Sequence, residues 1–246
     1  MIKETLLING FPVEATYDEK TVQEIFVPWL HRLKALHEKS NQRVVAFIAA
    51  PPATGKSTLA TFLELLAVQI PDMPRVQAIG MDGFHYPQSY IASHTVTRGE
   101  EVWPMQRVKG APESFDVEKL SAALQKLRTG EEVLWPIYDR TLHDVVENAL
   151  HVTAPIVLVE GNYLLLDAPV WRDLPHDYAV FIVAEEAQLR DRLLQRKMRG
   201  GATEEAALSH YETADGPNVR LCLQKRLPAD LTLQMTGDGT YVKIKK

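Results

Sequence analysis

The sequence predicts an α/β fold, a three-layer αβα sandwich with a mainly parallel sheet, a lid and a substrate-binding insertion. Three observations predict it. Continuous apolar runs at 44–49, 156–159 and 178–184 read as core strands, and 76–81 is a further strand candidate. Segments with apolar residues at helical spacing separate them. The run at 44–49 leads through a tight loop straight into a helix at Gly55-Lys56-Ser57-Thr58. Strands alternating with helices in this way build a parallel sheet.

From the N-terminus, TLLINGFPV is an apolar opening broken by Asn9-Gly10, a hairpin-turn pair. Residues 16–39 read as a helix, because Val22, Ile25, Phe26, Trp29, Leu30, Leu33 and Leu36 recur near helical spacing despite Pro28. That helix packs beside the sheet or forms an oligomer face, so a homodimer stays open. The helix that opens at Gly55 is carried by Leu59, Phe62, Leu63, Leu65 and Leu66. Residues 83–115 are aromatic, Gly/Pro-rich and irregular. A segment of that length without clear elements is expected to be functional, here an insertion covering the substrate. Asp116 is placed to cap a helix reaching Leu127. Residues 131–138 and 145–152 suit short strands around a turn. Residues 185–199 are helical and stop at Gly200-Gly201. A second helical region spans 204–226, interrupted near Gly216-Pro217. Terminal strands at 230–235 and 240–244 are joined by Gly237-Asp238-Gly239. One domain over 1–246 is expected, with an N-terminal extension (1–42), an acceptor-site insertion (83–115) and a lid near 188–218.

Composition excludes several classes. Over 246 residues, 27 Lys and Arg face 32 Asp and Glu, a net charge of −5 that disfavours a basic nucleic-acid scaffold. The isolated lysines form no nucleic-acid stripe. One cysteine, Cys222, cannot form an internal disulfide; it is expected to pack in a helix, and the compartment to be the cytoplasm. No apolar run approaches the roughly 20 residues that cross a bilayer, and the opening residues lack a signal-peptide core. Zinc and serine-hydrolase motifs are missing from the sequence.

The strongest local signal is Ala50-Pro51-Pro52-Ala53-Thr54-Gly55-Lys56-Ser57, followed by Thr58. It resembles the phosphate-binding loop G-x-x-x-x-G-K-[ST], with Ala50 where the pattern has its first glycine. In such a loop successive backbone N–H groups and the positive helix end cradle phosphate oxygens. Gly55 permits close approach, Lys56 would reach the β- and γ-phosphates of ATP, and Ser57 would hold Mg²⁺. Ala50 would be strained if the loop needed a positive φ there. The P-loop NTPase form of the αβα sandwich follows from this loop in this context.

Asp82 and Glu160 stand at the ends of two strand candidates, where the carboxyl ends of an open sheet face one crevice. A hydroxyl acceptor needs a proton acceptor, and Mg·nucleotide needs oxygen ligands or ordered waters. Asp82 is the preferred base and Glu160 the magnesium support, with the roles open to exchange. His85, Tyr86, Arg107, Lys109, Tyr138, Arg140 and His143 form a polar-aromatic set suited to a small hydroxylated or anionic acceptor, although Arg140 could instead pair with Asp144. Arg192, Arg196 and Arg199 share a helical face that could neutralise phosphate charge.

Together the segments APPATGKST (50–58), MDGFHYP (81–87), RVKGAPESFD (107–116), PIYDR (136–140) and VLVEGNYLL (157–165) resemble the uridine kinase, phosphoribulokinase and bacterial pantothenate kinase group of P-loop kinases. Nucleoside- or fructose-kinase-like members are similar too. The resemblance implies that Asp82 approaches the acceptor hydroxyl, that Arg107 and Lys109 help form the acceptor site, that Glu160 is the catalytic glutamate, and that lid arginines among 192, 196 and 199 close on phosphates. It implies an ATP-dependent kinase of a small hydroxyl-bearing metabolite, a sugar or nucleoside first. A pantothenate-like acceptor, nucleotide phosphorylation and a nucleotide-dependent regulatory switch are the alternatives.

Overall fold

A strand that is apolar at every position needs cover on both faces. The computed structural model, which describes residues 1–8, 10–236 and 240–244, places such strands in the middle of a six-stranded sheet. In chain order, β1 (Ile2–Ile8) and β2 (Phe11–Tyr17) form an antiparallel hairpin. Continuous helix follows through α1 (Glu19–Thr21), a π-helical turn at Val22–Phe26 and α2 (Val27–Ser40). Next come β3 (Val44–Ala49), α3 (Lys56–Val68) and β4 (Val76–Gly80). A 3-10 turn at Met81–Phe84, α4 (Gln88–Ser93) and the hairpin β5 (Thr95–Arg98) with β6 (Glu101–Pro104) lead to α5 (Val117–Arg128). The hairpin β7 (Val133–Asp139) and β8 (Asp144–Val152) stands outside the central sheet. The chain continues through β9 (Ile156–Gly161), β10 (Tyr178–Val183), α6 (Glu186–Arg199), α7 (Glu204–His210), a π turn at Tyr211–Asp215, α8 (Gly216–Gln224), β11 (Leu231–Met235) and β12 (Tyr241–Lys243).

The sheet order is β12-β11-β10-β3-β9-β4, with β12 antiparallel and the others parallel. Successive side chains of a strand point to opposite faces. Val44, Ala46 and Ile48 of β3 accordingly join one core with Trp29, Leu30 and Leu33 of α2, Leu59 and Leu63 of α3, and Leu189 and Leu193 of α6. Val45, Phe47 and Ala49 join the other, with Leu120, Leu124 and Leu127 of α5 and Trp135 of β7. This is the αβα layering. Trp29, Leu30 and Leu33 of α2 thus pack on the sheet, as one of the two expectations for this helix had it.

Several expectations need correction. The first helix starts at Glu19, not residue 16, because Thr16 and Tyr17 pair with Lys3 and Ile2 and Asp18 caps through Thr21 N (2.8 Å). The region 204–226 is not interrupted at Gly216-Pro217. A proline has no N–H to bond four residues back; the π turn before it absorbs the defect, with Gly216 N bonded five back to Tyr211 O. The π turn before Pro28 does the same, Val27 N reaching Val22 O. Residues 83–115 carry a helix and a hairpin rather than one irregular loop. Asn9 and the turn 237–239 lie outside the described residues.

Two aspartates align the strands that carry the site. Asp177 N donates to Val45 O (2.8 Å) while Asp177 Oδ2 accepts from Val45 N (2.9 Å). Asp230 repeats this on Ala179, at 2.9 and 2.8 Å. Arg128 holds the other oxygen of Asp177 at 2.7 Å. Asp177→Ala leaves the buried Val45 N–H without its acceptor and is expected to lower unfolding free energy by about 1–3 kcal/mol. Urea denaturation monitored by circular dichroism measures it, and Asp177→Asn, which keeps an acceptor oxygen, should lose less.

Candidate active site

The loop between β3 and α3 begins where Ala50 N bonds Gly161 O (3.3 Å), tying it to the end of β9. Positive φ falls at Ala53 (67°) and Gly55 (83°), not at Ala50, so the alanine in the first-glycine position carries no left-handed strain. Thr54 is fully buried and its hydroxyl caps Pro51 O at 3.0 Å. Two carbonyls of the loop are held from outside: Arg192 Nη1 donates to Ala53 O (2.9 Å), and Tyr241 Oη donates to Thr54 O (3.0 Å). Burial pushes the Tyr241 phenol up to about 12, with Arg192 opposing, so it stays a donor.

Lys56 and Ser57 open α3. Ser57 Oγ donates to Glu160 Oε1 at 2.8 Å, and Lys56 Nζ lies 3.9 Å from Glu160 Oε2. Glu160 sits near the end of β9, level with Gly80 of β4, and a Cβ on Gly80 would meet its carboxylate at 3.2 Å. Its side chain is only 15% exposed. Burial raises its pKa above the ordinary carboxylate value; Lys56 opposes that and Asp82 adds to it.

Asp82 follows β4 in a 3-10 turn that lies against β7. The contact depends on Gly83, since a Cβ there would fall on the Pro136 carbonyl. Close packing at this point brings Arg140 Nη2 to 3.8 Å from Asp82 Oδ2. Ser57, Asp82, Gly83, Tyr138, Arg140 and Glu160 line one cleft of about 460 Å³.

The remaining expected residues divide. Lys109 Nζ bonds Gln88 Oε1 (2.6 Å) and His143 O (3.2 Å) and lies over the Tyr138 ring at 5.2 Å. His143 thus joins through its carbonyl, at a positive φ of 53°. His85 Nδ1 bonds Asp82 O at 2.8 Å and its ring packs on Phe115; burial lowers its pKa, with Asp82 opposing. Tyr86 stacks on Tyr90 in a small core of Ile91, Met105, Val108 and Ala111, away from the cleft. Arg107 lies over the Trp103 ring at 3.9 Å, also outside the cleft lining. Arg140 does not pair with Asp144, which caps Gln88 N instead (2.9 Å). Burial lowers the pKa of Arg196, with the charge of Asp215 opposing, and Arg199 is exposed at the end of α6. Cys222 is buried in α8, its thiol pushed up to about 12 by burial, which keeps it unreactive.

Two contributors escape sequence reasoning. Tyr241 reaches a loop 187 residues away, a distance no local pattern encodes. Leu7 and Ile8, from the N-terminal hairpin, line the same cleft as Asp82.

A model of the phosphoribulokinase / uridine kinase family matches residues 45–239. The chain belongs to that family. YggC, an uncharacterized protein of Escherichia coli (strain K12), is 44% identical over 98% of each chain. The pantothenate kinase of Bacillus subtilis (strain 168) is 29% identical over 94% of this chain and 86% of its own. A crystal structure from Silicibacter sp. TM1040, provisionally named a fructose transport system kinase, superposes with a TM-score of 0.70 at 32% identity, covering 82% of this chain and 97% of that one. No helix among the described residues is long and apolar enough to cross a membrane.

The raised pKa of Glu160 has a stability consequence for this family member. The folded site holds the proton more tightly than the unfolded chain, so ionisation costs stability as pH rises from the ordinary carboxylate value through the folded one. Glu160→Gln should therefore melt at or above wild type at pH 8, with the difference shrinking toward pH 4, in scanning calorimetry without ligands.

Proposed function

We propose that the chain transfers the γ-phosphoryl group of ATP to a hydroxyl of a small metabolite. The observation that carries this is the convergence of Asp82 and Glu160 on one cleft beside the phosphate loop. Asp82 is half-exposed toward the cleft and oriented by Arg140. In this reading it takes the proton of the acceptor hydroxyl as the oxygen–phosphorus bond forms and ADP leaves. Lys56 supplies positive charge at the phosphates, and the backbone N–H groups of 53–57 cradle them, since Pro51 and Pro52 have none and that of Ala50 is bonded to Gly161 O.

The Ser57 hydroxyl and Glu160 carboxylate, 2.8 Å apart, are the hard oxygen donors that suit Mg²⁺, with room for phosphate and water ligands. Bound there, the ion would offset charge on the transferring group. Glu160 would take part directly or through water. Arg196 is the freer lid arginine in this scheme. Arg192, already bonded to Ala53 O, acts first on the shape of the loop.

A sugar or nucleoside is the first acceptor class. The name of the Silicibacter structure supports a sugar, and the pantothenate kinase of Bacillus subtilis supports pantothenate as the alternative. ATP-dependent ADP release, screened against sugars, nucleosides and pantothenate with the phosphorylated product identified by mass spectrometry, tests the proposal. Nucleotide-dependent protein binding without any phosphorylated product would favour a regulatory switch. Asp82→Asn is expected to lower kcat by about 10²–10⁴-fold while retaining ATP binding. Near-normal turnover in that variant would sink the base role.

A further inference from the structure

The family match begins at residue 45, yet the cleft is not closed by the matched segment alone. Leu7, Ile8 and Gly10 of the N-terminal hairpin line it together with Asp82, Arg140 and Glu160. The base of the hairpin is fixed. Leu6, Ala15 and Tyr17 are buried, and the Tyr17 ring lies 4.5 Å from Phe62 of α3 and 5.2 Å from Phe26. Its tip is not buried: alternation along β1 turns Leu6 into the core and leaves Leu7 70% exposed. Ala60 and Ile137 continue the apolar lining, and Ile137 is itself 40% exposed. The cleft thus has carbon on some walls and Asp82, Arg140 and Glu160 on others.

We infer that Leu7 and Ile8 are specificity-determining residues for the phosphate acceptor, forming an apolar wall for an amphipathic acceptor whose carbon face rests on the hairpin while a hydroxyl meets Asp82. The inference rests on the kinase reading and deepens it. An apolar wall removes water from the acceptor side, where water is the competing nucleophile. It also favours acceptors with an exposed carbon face over those hydroxylated all round.

The test uses the full-length protein with ATP and three probes: uridine, D-fructose and pantothenate. The probe turned over best by wild type is then titrated against variants. Leu7→Ser should raise the KM for that probe about fivefold or more, with the KM for ATP changed less than about twofold. Leu7→Trp, which enlarges an exposed side chain and threatens no core, should change the order of preference among the probes. Phe11→Ser removes a tip residue of the same hairpin that does not line the cleft and should leave the acceptor KM as it is. An unchanged acceptor KM in both Leu7 variants, or equal rises for acceptor and ATP, overturns the wall alone. No ADP release by wild type with any probe overturns the kinase reading and the wall with it.

Discussion

Glu160 is the constraint on which the site is built. A carboxylate this poorly exposed is costly unless the protein supplies partners, and it has two, Ser57 and Lys56, both from the first turn of α3. Their reach fixes where α3 starts relative to the end of β9. The loop from Ala50 to Gly55 must then span a set distance and reverse direction within it. That requirement puts positive φ at Ala53 and Gly55. For alanine a left-handed residue costs roughly 1–2 kcal/mol, so something must hold it. Arg192 on the Ala53 carbonyl and Tyr241 on the next carbonyl are placed to do so.

One of those braces, Tyr241, comes from the far end of the chain and is itself packed by the near end. Tyr241 lies beside Tyr17 and Phe26, and Thr21 Oγ1 donates to its carbonyl. The extension before residue 45 is thereby part of the support of the phosphate loop and also a wall of the cleft. Removal of the extension would take Tyr17 and Phe26 away, uncover Phe62 of α3 and leave Tyr241 without these two ring neighbours. A role for this segment limited to oligomer contact does not account for that packing.

Legibility followed the range of the interactions. The strands β3, β4, β9 and β10 and the helices α3, α5 and α6 were readable because burial on one or two faces imposes a period on the residues themselves. The loop, Asp82 and Glu160 were readable because strand ends carry them to one edge. Tyr86 and Arg107 show what a sequence does not reveal about an irregular segment. An aromatic or a guanidinium in an irregular segment looks the same whether it meets a ligand or a neighbouring ring, and here Tyr86 lies on Tyr90 and Arg107 over Trp103. Gly83 was in view within its motif, but its necessity lies in the Pro136 carbonyl, more than 50 residues on. Contacts of that kind become visible only when β7 is placed against the turn.

The π turn at Tyr211–Asp215 shows how a local defect can serve the site. The widened turn accommodates Pro217 and keeps helix running where the sequence suggested a break. It also crowds Gly216 against the Tyr211 carbonyl, so that a Cβ there would approach it at 2.9 Å. With the helix continuous, Asp215 is close enough to α6 for its charge to act on Arg196, and His210 lies 3.7 Å from the same carboxylate. Burial lowers the pKa of Arg196 and the charge of Asp215 works against that. A helix broken at Gly216 would not hold Asp215 at its place beside α6, and its charge would no longer act on Arg196.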